Sequence, residues 1–297
     1  MEMKRMLLLG ALALNLLSLP AVAAPDSPTL KRIKETGAIT LGHRESSIPF
    51  SYYDDRQQVI GYSQDFMTEI VRTIKGELGL PGLQVRMMPV TSSNRIPLMQ
   101  NGTIDLECGS TTNTIERQRQ VSFSNHLFLY GIRTMVRKDA GIGELEDLKG
   151  KNVVTTAGTT AERLLRQMNE ERQLGFNLIS AKDHGEAFLT LETGRAAAFV
   201  MDEPLLHGEK AKAKKADDWA VVGRPLQSEN YACMLPKGDQ AFKQLVDGAI
   251  ARLMTSGEAE KIYHKWFMSP LPPKGINLAY PLSDELRALY KRPNDRL

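Results

Sequence analysis

The chain has 297 residues, 42% hydrophobic and 25% charged, with 38 Lys+Arg against 35 Asp+Glu and a formal net charge of +3. That composition excludes disorder, collagen-like repeats and a coiled coil, and the charge is too small to argue for nucleic acid or an anionic membrane surface. Two cysteines, with no CxxC and no Cys/His cluster, exclude a disulfide-dense scaffold and a zinc module.

In chain order, Lys4 and Arg5 precede an apolar run over 6–19, interrupted only by Asn15. Pro20 breaks the run, and Ala21-Val22-Ala23 supplies the small residues a signal peptidase reads. A run of about 14 residues is too short to span a bilayer, so 1–23 is expected to be a secretory signal peptide. Losing Glu2, Lys4 and Arg5 with it lowers the net charge from +3 to +2. No later run is long enough to span a membrane, so the mature chain is expected to be exported and soluble. In an oxidising compartment Cys108 and Cys233 pair more often than they stay free, and a bond between them would close a long loop.

The remainder alternates strands and helices, the pattern of an α/β protein. A short helix over 29–36 stops at Gly37, and a buried strand follows over 38–42. Tyr62, Phe66, Met67, Ile70, Val71 and Ile74 have helical spacing over 62–74. A strand over 83–90 precedes a helix over 95–100, with Pro97 tolerated in its first turn and Asn101-Gly102 closing it. A third strand is predicted over 103–108. A second series begins near residue 130, with strands over 131–137, 151–155, 177–180, 196–201 and 219–222. Helices over 161–171, 185–192 and 204–215 lie between them. A strand over 230–235 is followed by helices over 240–255 and 256–266, the latter strongly amphipathic. Residues 270–297 form a Pro-rich tail with one helix over 283–290. The lysines of 210–215 are a solvated helix end, because no aromatic residue interleaves with them to stack on bases.

No GxSxG elbow, HExxH, P-loop or GxGxxG after a strand is present, and the five histidines lack metal spacing. Polar clusters instead follow the predicted strands, at the edge where open α/β sheets bind ligands. They are 42–46 with Arg44, 91–95 with Ser92 and Arg95, 109–113 with Ser110 and Thr112, 156–160 with Thr160, 180–184 with His184, and Asp202. Asn113 with Glu116, ahead of Arg117, and Thr159 with Glu162 have the spacing of capping boxes. Helix N-termini and arginines suit a carboxylate, and an acid closing an apolar strand suits an ammonium group. Singly, each residue reads as a cap or a surface charge; spacing alone leaves their convergence open.

Several motifs carry a family resemblance. They are Gly42-His-Arg-Glu-Ser-Ser47, Pro49-Phe-Ser-Tyr-Tyr53, Gly61-Tyr-Ser-Gln-Asp65, Asn94-Arg-Ile-Pro97, Glu107-Cys-Gly-Ser-Thr-Thr-Asn113, Ala181-Lys-Asp-His184 and Ser256-Gly-Glu-Ala-Glu-Lys261. With them the chain resembles the periplasmic amino-acid-binding proteins of ABC importers over essentially its whole mature length. The Gly-Tyr-x-x-Asp motif is family-wide, whereas Gly-His-Arg and Lys-Asp-His resemble the subgroup for acidic amino acids.

The resemblance implies a two-lobed periplasmic-binding-protein fold of type II, two mixed α/β lobes joined by two hinge crossovers. Lobe 1 would comprise 29–129 plus 230–270 and lobe 2 would comprise 130–229, with 271–297 a C-terminal tail on the body. It also implies a Cys108–Cys233 disulfide within one lobe near the hinge. By family role, Thr112, Arg117 and Thr160 would hold a ligand α-carboxylate, and Ser110 and Asp202 its α-ammonium. Arg44, Ser92, Arg95 and His184 would bind a side-chain carboxylate. The implied partners are L-glutamate or L-aspartate and a membrane ABC permease, with no nucleic acid, no cofactor, no metal and a monomeric, periplasmic protein. The alternative is a dehydratase-like periplasmic enzyme on the same scaffold, in which His184 and Asp202 would do chemistry. The family assigns both residues to binding.

Overall fold

The computed structural model describes residues 26–297, so the predicted signal peptide lies outside the described residues. Ser27 caps α1 (Pro28–Thr36) by accepting from the Leu30 amide at 3.1 Å, and Gly37 ends it at φ +63°. The largely buried strand β1 (Ala38–His43) follows. A small sheet of β2 (Ser46–Ser47), β3 (Ser51–Tyr53) and β4 (Val59–Ile60) leads into α2 (Tyr62–Leu78), whose predicted apolar stripe is buried. Next come β5 (Gln84–Pro89), α3 (Arg95–Gln100), β6 (Leu106–Glu107) and the one-turn helix α4 (Ile115–Gln118). The strand expected over 103–108 shrinks to two residues because Asp105 turns its carboxylate onto the Thr40 amide at 2.7 Å.

The long strand β7 (Ser122–Arg137) opens the second series. It runs through β8 (Asn152–Thr156), α5 (Thr160–Glu171), β9 (Asn177–Ala181), α6 (His184–Glu192), β10 (Ala198–Asp202), α7 (Glu203–Lys212) and β11 (Trp219–Val222). The chain then returns through β12 (Ser228–Leu235), α8 (Gln240–Thr255) and α9 (Glu258–Phe267). A ribbon of β13 (Pro270–Leu271) and β14 (Ile276–Asn277) and the helix α10 (Asp284–Lys291) form the tail. No helix of the described residues is long and apolar enough to cross a membrane.

The strand order is β5-β1-β6-β12-β7-β10-β8-β9, with β11 also on β7. Up to Gly131, β7 pairs antiparallel with β12; from Ile132 onward it pairs with β10 and β11. One strand thus serves two sheets, and the lobes built on them share it. The sequence pattern suggested only 131–137, because Asn125, His126 and Gly131 break the apolar run and the strand changes partners midway. The second crossover, between β11 and β12, lies alongside: Leu226 donates its N–H to the Ile132 carbonyl at 2.8 Å, and Ile132 donates to Gln227 at 2.9 Å. Within each lobe the parallel pairs (β1 with β5 and β6, β8 with β9 and β10) end their carboxyl termini toward the cleft.

The core of the first lobe centres on Phe50, with ring centroids 4.9 Å from Phe128 and 5.0 Å from Tyr231. Cys108 and Cys233 form a disulfide that ties the loop after β6 to β12. The tail lies across both lobes. Tyr290 and Tyr62 share a hydroxyl hydrogen bond of 2.7 Å, while Lys274 reaches the Lys212 carbonyl at 2.9 Å and Tyr280 donates to Glu203 at 3.3 Å.

Candidate functional site

Arg44 is the first residue past β1, and its backbone N–H is fixed by Ser51 Oγ at 2.9 Å. Its Nη1 donates to Ser110 Oγ at 3.3 Å. Arg95 opens α3 and sends Nη1 to the Ser110 carbonyl at 3.0 Å and to Thr111 Oγ1 at 2.6 Å. Two guanidiniums, both almost wholly buried, therefore meet on one serine. Burial, reinforced by repulsion from Arg95, pulls Arg44 down to about 10, which leaves it charged at neutral pH. Ser92 Oγ and Arg95 Nε are buried beside them with no hydrogen-bond partner among the described residues.

Arg117 links the lobes. Nη1 donates to the Thr112 carbonyl at 3.0 Å and Nη2 to the Gly158 carbonyl at 3.1 Å. Its helix is capped by Thr114, which accepts from the Arg117 amide at 3.2 Å; the cap is not Asn113, whose amide is committed to His126 and Gln118. Thr160 begins α5 under its cap Thr159, and Glu162 reaches back to the Gly158 amide rather than to Thr159 itself. Thr112 and Thr160 hydroxyls lie 3.4 Å apart across the cleft.

From the second lobe, His184 begins α6 with Nδ1 2.8 Å from Thr156 Oγ1, and its Nε2 is buried without a partner. Burial, then the charges of Arg44, Arg95 and Lys212, hold the ring well below 6.5, so it is neutral. Asp202 ends β10 and accepts a hydrogen bond from Tyr231; its other oxygen is buried without a partner. Burial and the nearby Glu229 push its carboxyl up to about 8, against the pull of Arg95 and Arg117.

Arg44, Arg95 and Ser110 are thus joined directly, as are Thr112, Arg117 and Thr160. Ser92, His184 and Asp202 make no hydrogen bond to either group; they share the same buried cleft, His184 and Asp202 within the field of its arginines. Sequence reasoning missed the residues that hold these in place. Tyr130 donates to Glu229 at 2.7 Å, and Thr160 donates to the same oxygen at 2.6 Å. Tyr130 is also 2.7 Å from Thr112, so Glu229 gathers threonines from both lobes. The signal was an acid within the run 228–235; a strand started at 230 left it outside.

The lobes touch where side chains are absent. A Cβ at Gly158, which has φ +76°, would lie 2.7 Å from Ser93 Cα, and one at Gly208 would lie 2.2 Å from the Ile48 carbonyl. Glu116 and Arg163 form an ion pair across the cleft mouth, beside a cavity of about 320 Å³. A larger groove, about 670 Å³, lies elsewhere among the described residues, against the exposed edge strand β5. The cleft therefore offers two buried cations at one end, a carboxyl at the other and a third cation beside a helix N-terminus. This set complements a small molecule with an ammonium group and two carboxylates.

Known proteins share this arrangement of sequence and fold. An L-glutamate/L-aspartate-binding protein of Pseudomonas aeruginosa is 57% identical over 291 residues, covering 98% of this chain and 96% of its own. A glutamate/aspartate import solute-binding protein of Salmonella typhimurium is 56% identical over 268 residues, covering 90% of this chain and 89% of its own. A solved structure of a mutant of ArgBP from T. maritima superposes with a TM-score of 0.71 at 27% identity, over 80% of this chain and 98% of that one. The profile of one family matches residues 39–269, spanning both lobes and every site residue above, and the chain belongs to that family, the bacterial extracellular solute-binding proteins, family 3.

Proposed function

We propose that this chain captures L-glutamate and L-aspartate between its lobes and delivers them to a membrane ABC permease. The observation that carries this reading is the meeting of Arg44 and Arg95 on Ser110 in a buried cleft that also holds Asp202. A zwitterion needs one cation and one anion; the surplus arginines suit an acidic side chain. Thr112, Arg117 and Thr160 hold the α-carboxylate, Ser110 and Asp202 take the α-ammonium, and Arg44, Ser92, Arg95 and His184 bind the side-chain carboxylate. The names of the relatives above support the same ligands.

Lobe 1 is then 29–129 plus 230–270 and lobe 2 is 130–229, a division supported by the change of partners along β7, with 271–297 as the tail. Residues 1–23 direct the chain to the periplasm, where it works as a monomer. A ligand touching both lobes binds the closed form better and shifts the population toward it.

Glutamine would leave a buried arginine without its charge partner, a loss of about 3–5 kcal/mol. Aspartate differs from glutamate by one methylene, worth about 1–3 kcal/mol. Calorimetric titration should therefore show both acids binding and glutamine binding at least a hundredfold more weakly than glutamate. Glutamine within tenfold of glutamate would overturn the assignment.

A further inference from the structure

Beneath the two arginines lies a buried carboxylate with no part in the ligand contacts above. Glu107 ends β6 fully buried, and its Oε2 accepts from Thr111 Oγ1 at 2.5 Å. The same hydroxyl accepts from Arg95 Nη1 at 2.6 Å. A threonine has one proton to give, and here it goes to Glu107, so the hydroxyl lone pairs are turned toward Arg95. Arg95, Thr111 and Glu107 form a two-bond relay that runs away from the cleft.

The relay is held from several sides. Glu107 is paired in register with Gly42 of β1 and Met234 of β12, and the next residue, Cys108, is tied by the disulfide. Two glycines leave room for its side chain: a Cβ at Gly109 would lie 2.6 Å from Glu107 Oε1 and 2.9 Å from Arg44 Cγ, and one at Gly42 would lie 3.0 Å from Glu107 Cγ. Glu107 therefore acts on Arg44 through its field and on Arg95 through Thr111, and its Oε1 is buried with no hydrogen-bond partner among the described residues. With His184 neutral, Glu107 is the buried acid set against the two arginines at this end of the cleft.

We propose that Glu107, acting through Thr111, is a positioning residue for selectivity: it orients the Arg95 guanidinium and, as internal counter-ion of the arginine pair, leaves one positive charge for one side-chain carboxylate. The proposal rests on the ligand reading above. A neutral amide side chain leaves that charge unmatched, whereas an acidic one cancels it.

Two substitutions push selectivity in opposite directions. Thr111→Val removes the relay hydroxyl at nearly constant volume while leaving the Arg95 bond to the Ser110 carbonyl. Glutamate affinity is expected to fall at least tenfold and glutamine affinity to change less than threefold, with Thr111→Ser restoring the ratio. Glu107→Gln keeps an acceptor for Thr111 but removes the charge, so the glutamate-to-glutamine ratio is expected to rise at least tenfold. Titration of each folded variant with both amino acids, its fold checked by circular dichroism, reads these ratios. Equal loss of both ligands in Thr111→Val, or no change in either, would overturn the positioning role. A lower ratio in Glu107→Gln would overturn the counter-ion role. If the unaltered protein binds neither glutamate nor aspartate, the ligand reading itself falls, which these variants would not cause.

Discussion

Asp202 and the buried histidines leave opposite marks on stability. The Asp202 carboxyl is pushed from 3.8 to about 8, so between those values the folded chain binds more protons than the unfolded chain. Its contribution to stability is full at low pH and is lost as pH rises through that window. Burial depresses His126 from 6.5 to about 4 and holds His184 well below 6.5. There the unfolded chain binds protons first, so stability is lost as pH falls below 6.5. Below 6.5 the two histidines outweigh Asp202, and above 6.5 only the Asp202 loss remains, so melting temperature should pass through a maximum near pH 6.5. His126→Gln should flatten its acid limb and Asp202→Asn its alkaline limb; limbs unchanged in both variants would contradict these environments. At this scale the sequence is legible where chemistry is independent of packing. Arginines and an aspartate at the ends of apolar runs stand out in any fold. Tyr130, Tyr231 and Glu107 do not, because their roles come from neighbours brought in from distant strands.

Closure is written into single positions on helices and turns. Gly208 sits inside α7, where alanine would ordinarily favour the helix by about 1 kcal/mol. A Cβ there would collide with the Ile48 carbonyl, a backbone atom of the opposite lobe, so Gly208→Ala should hinder the approach of the lobes without harming the helix. Glutamate affinity should fall at least tenfold while the melting temperature without ligand holds or rises, and small-angle scattering should show a larger radius of gyration in glutamate. Unchanged affinity would mean that the lobes need not come this close. Helices such as α2 and α8 were readable because one amphipathic stripe defines each of them. The shared strand β7 was only half readable, since two sheets bury it in different directions and no single period survives along its 16 residues.

For the whole molecule, the Cys108–Cys233 bond spans a sequence separation of 125 residues and ties the loop after β6 to β12 across the long stretch of chain between them. In the chain-entropy picture such a loop is worth about 4–5 kcal/mol. The double variant Cys108→Ser/Cys233→Ser should lose stability of that order in denaturant titrations; a loss under about 1 kcal/mol would mean that the unfolded chain is already constrained. The alternation of strands and helices revealed the fold class, and the near-neutral charge hid the site, because a sum of 38 basic against 35 acidic residues says nothing of where the cations gather. The strand common to both sheets has a mechanical consequence. Lobes joined by it cannot swing as on a loose tether; they must twist a hydrogen-bonded ribbon about Gly131, where Pro225 packs too closely for any side chain. Such a joint behaves as a torsion spring with one preferred axis, and the amides of Ile132 and Leu226 should exchange slowly with solvent whether glutamate is present or absent.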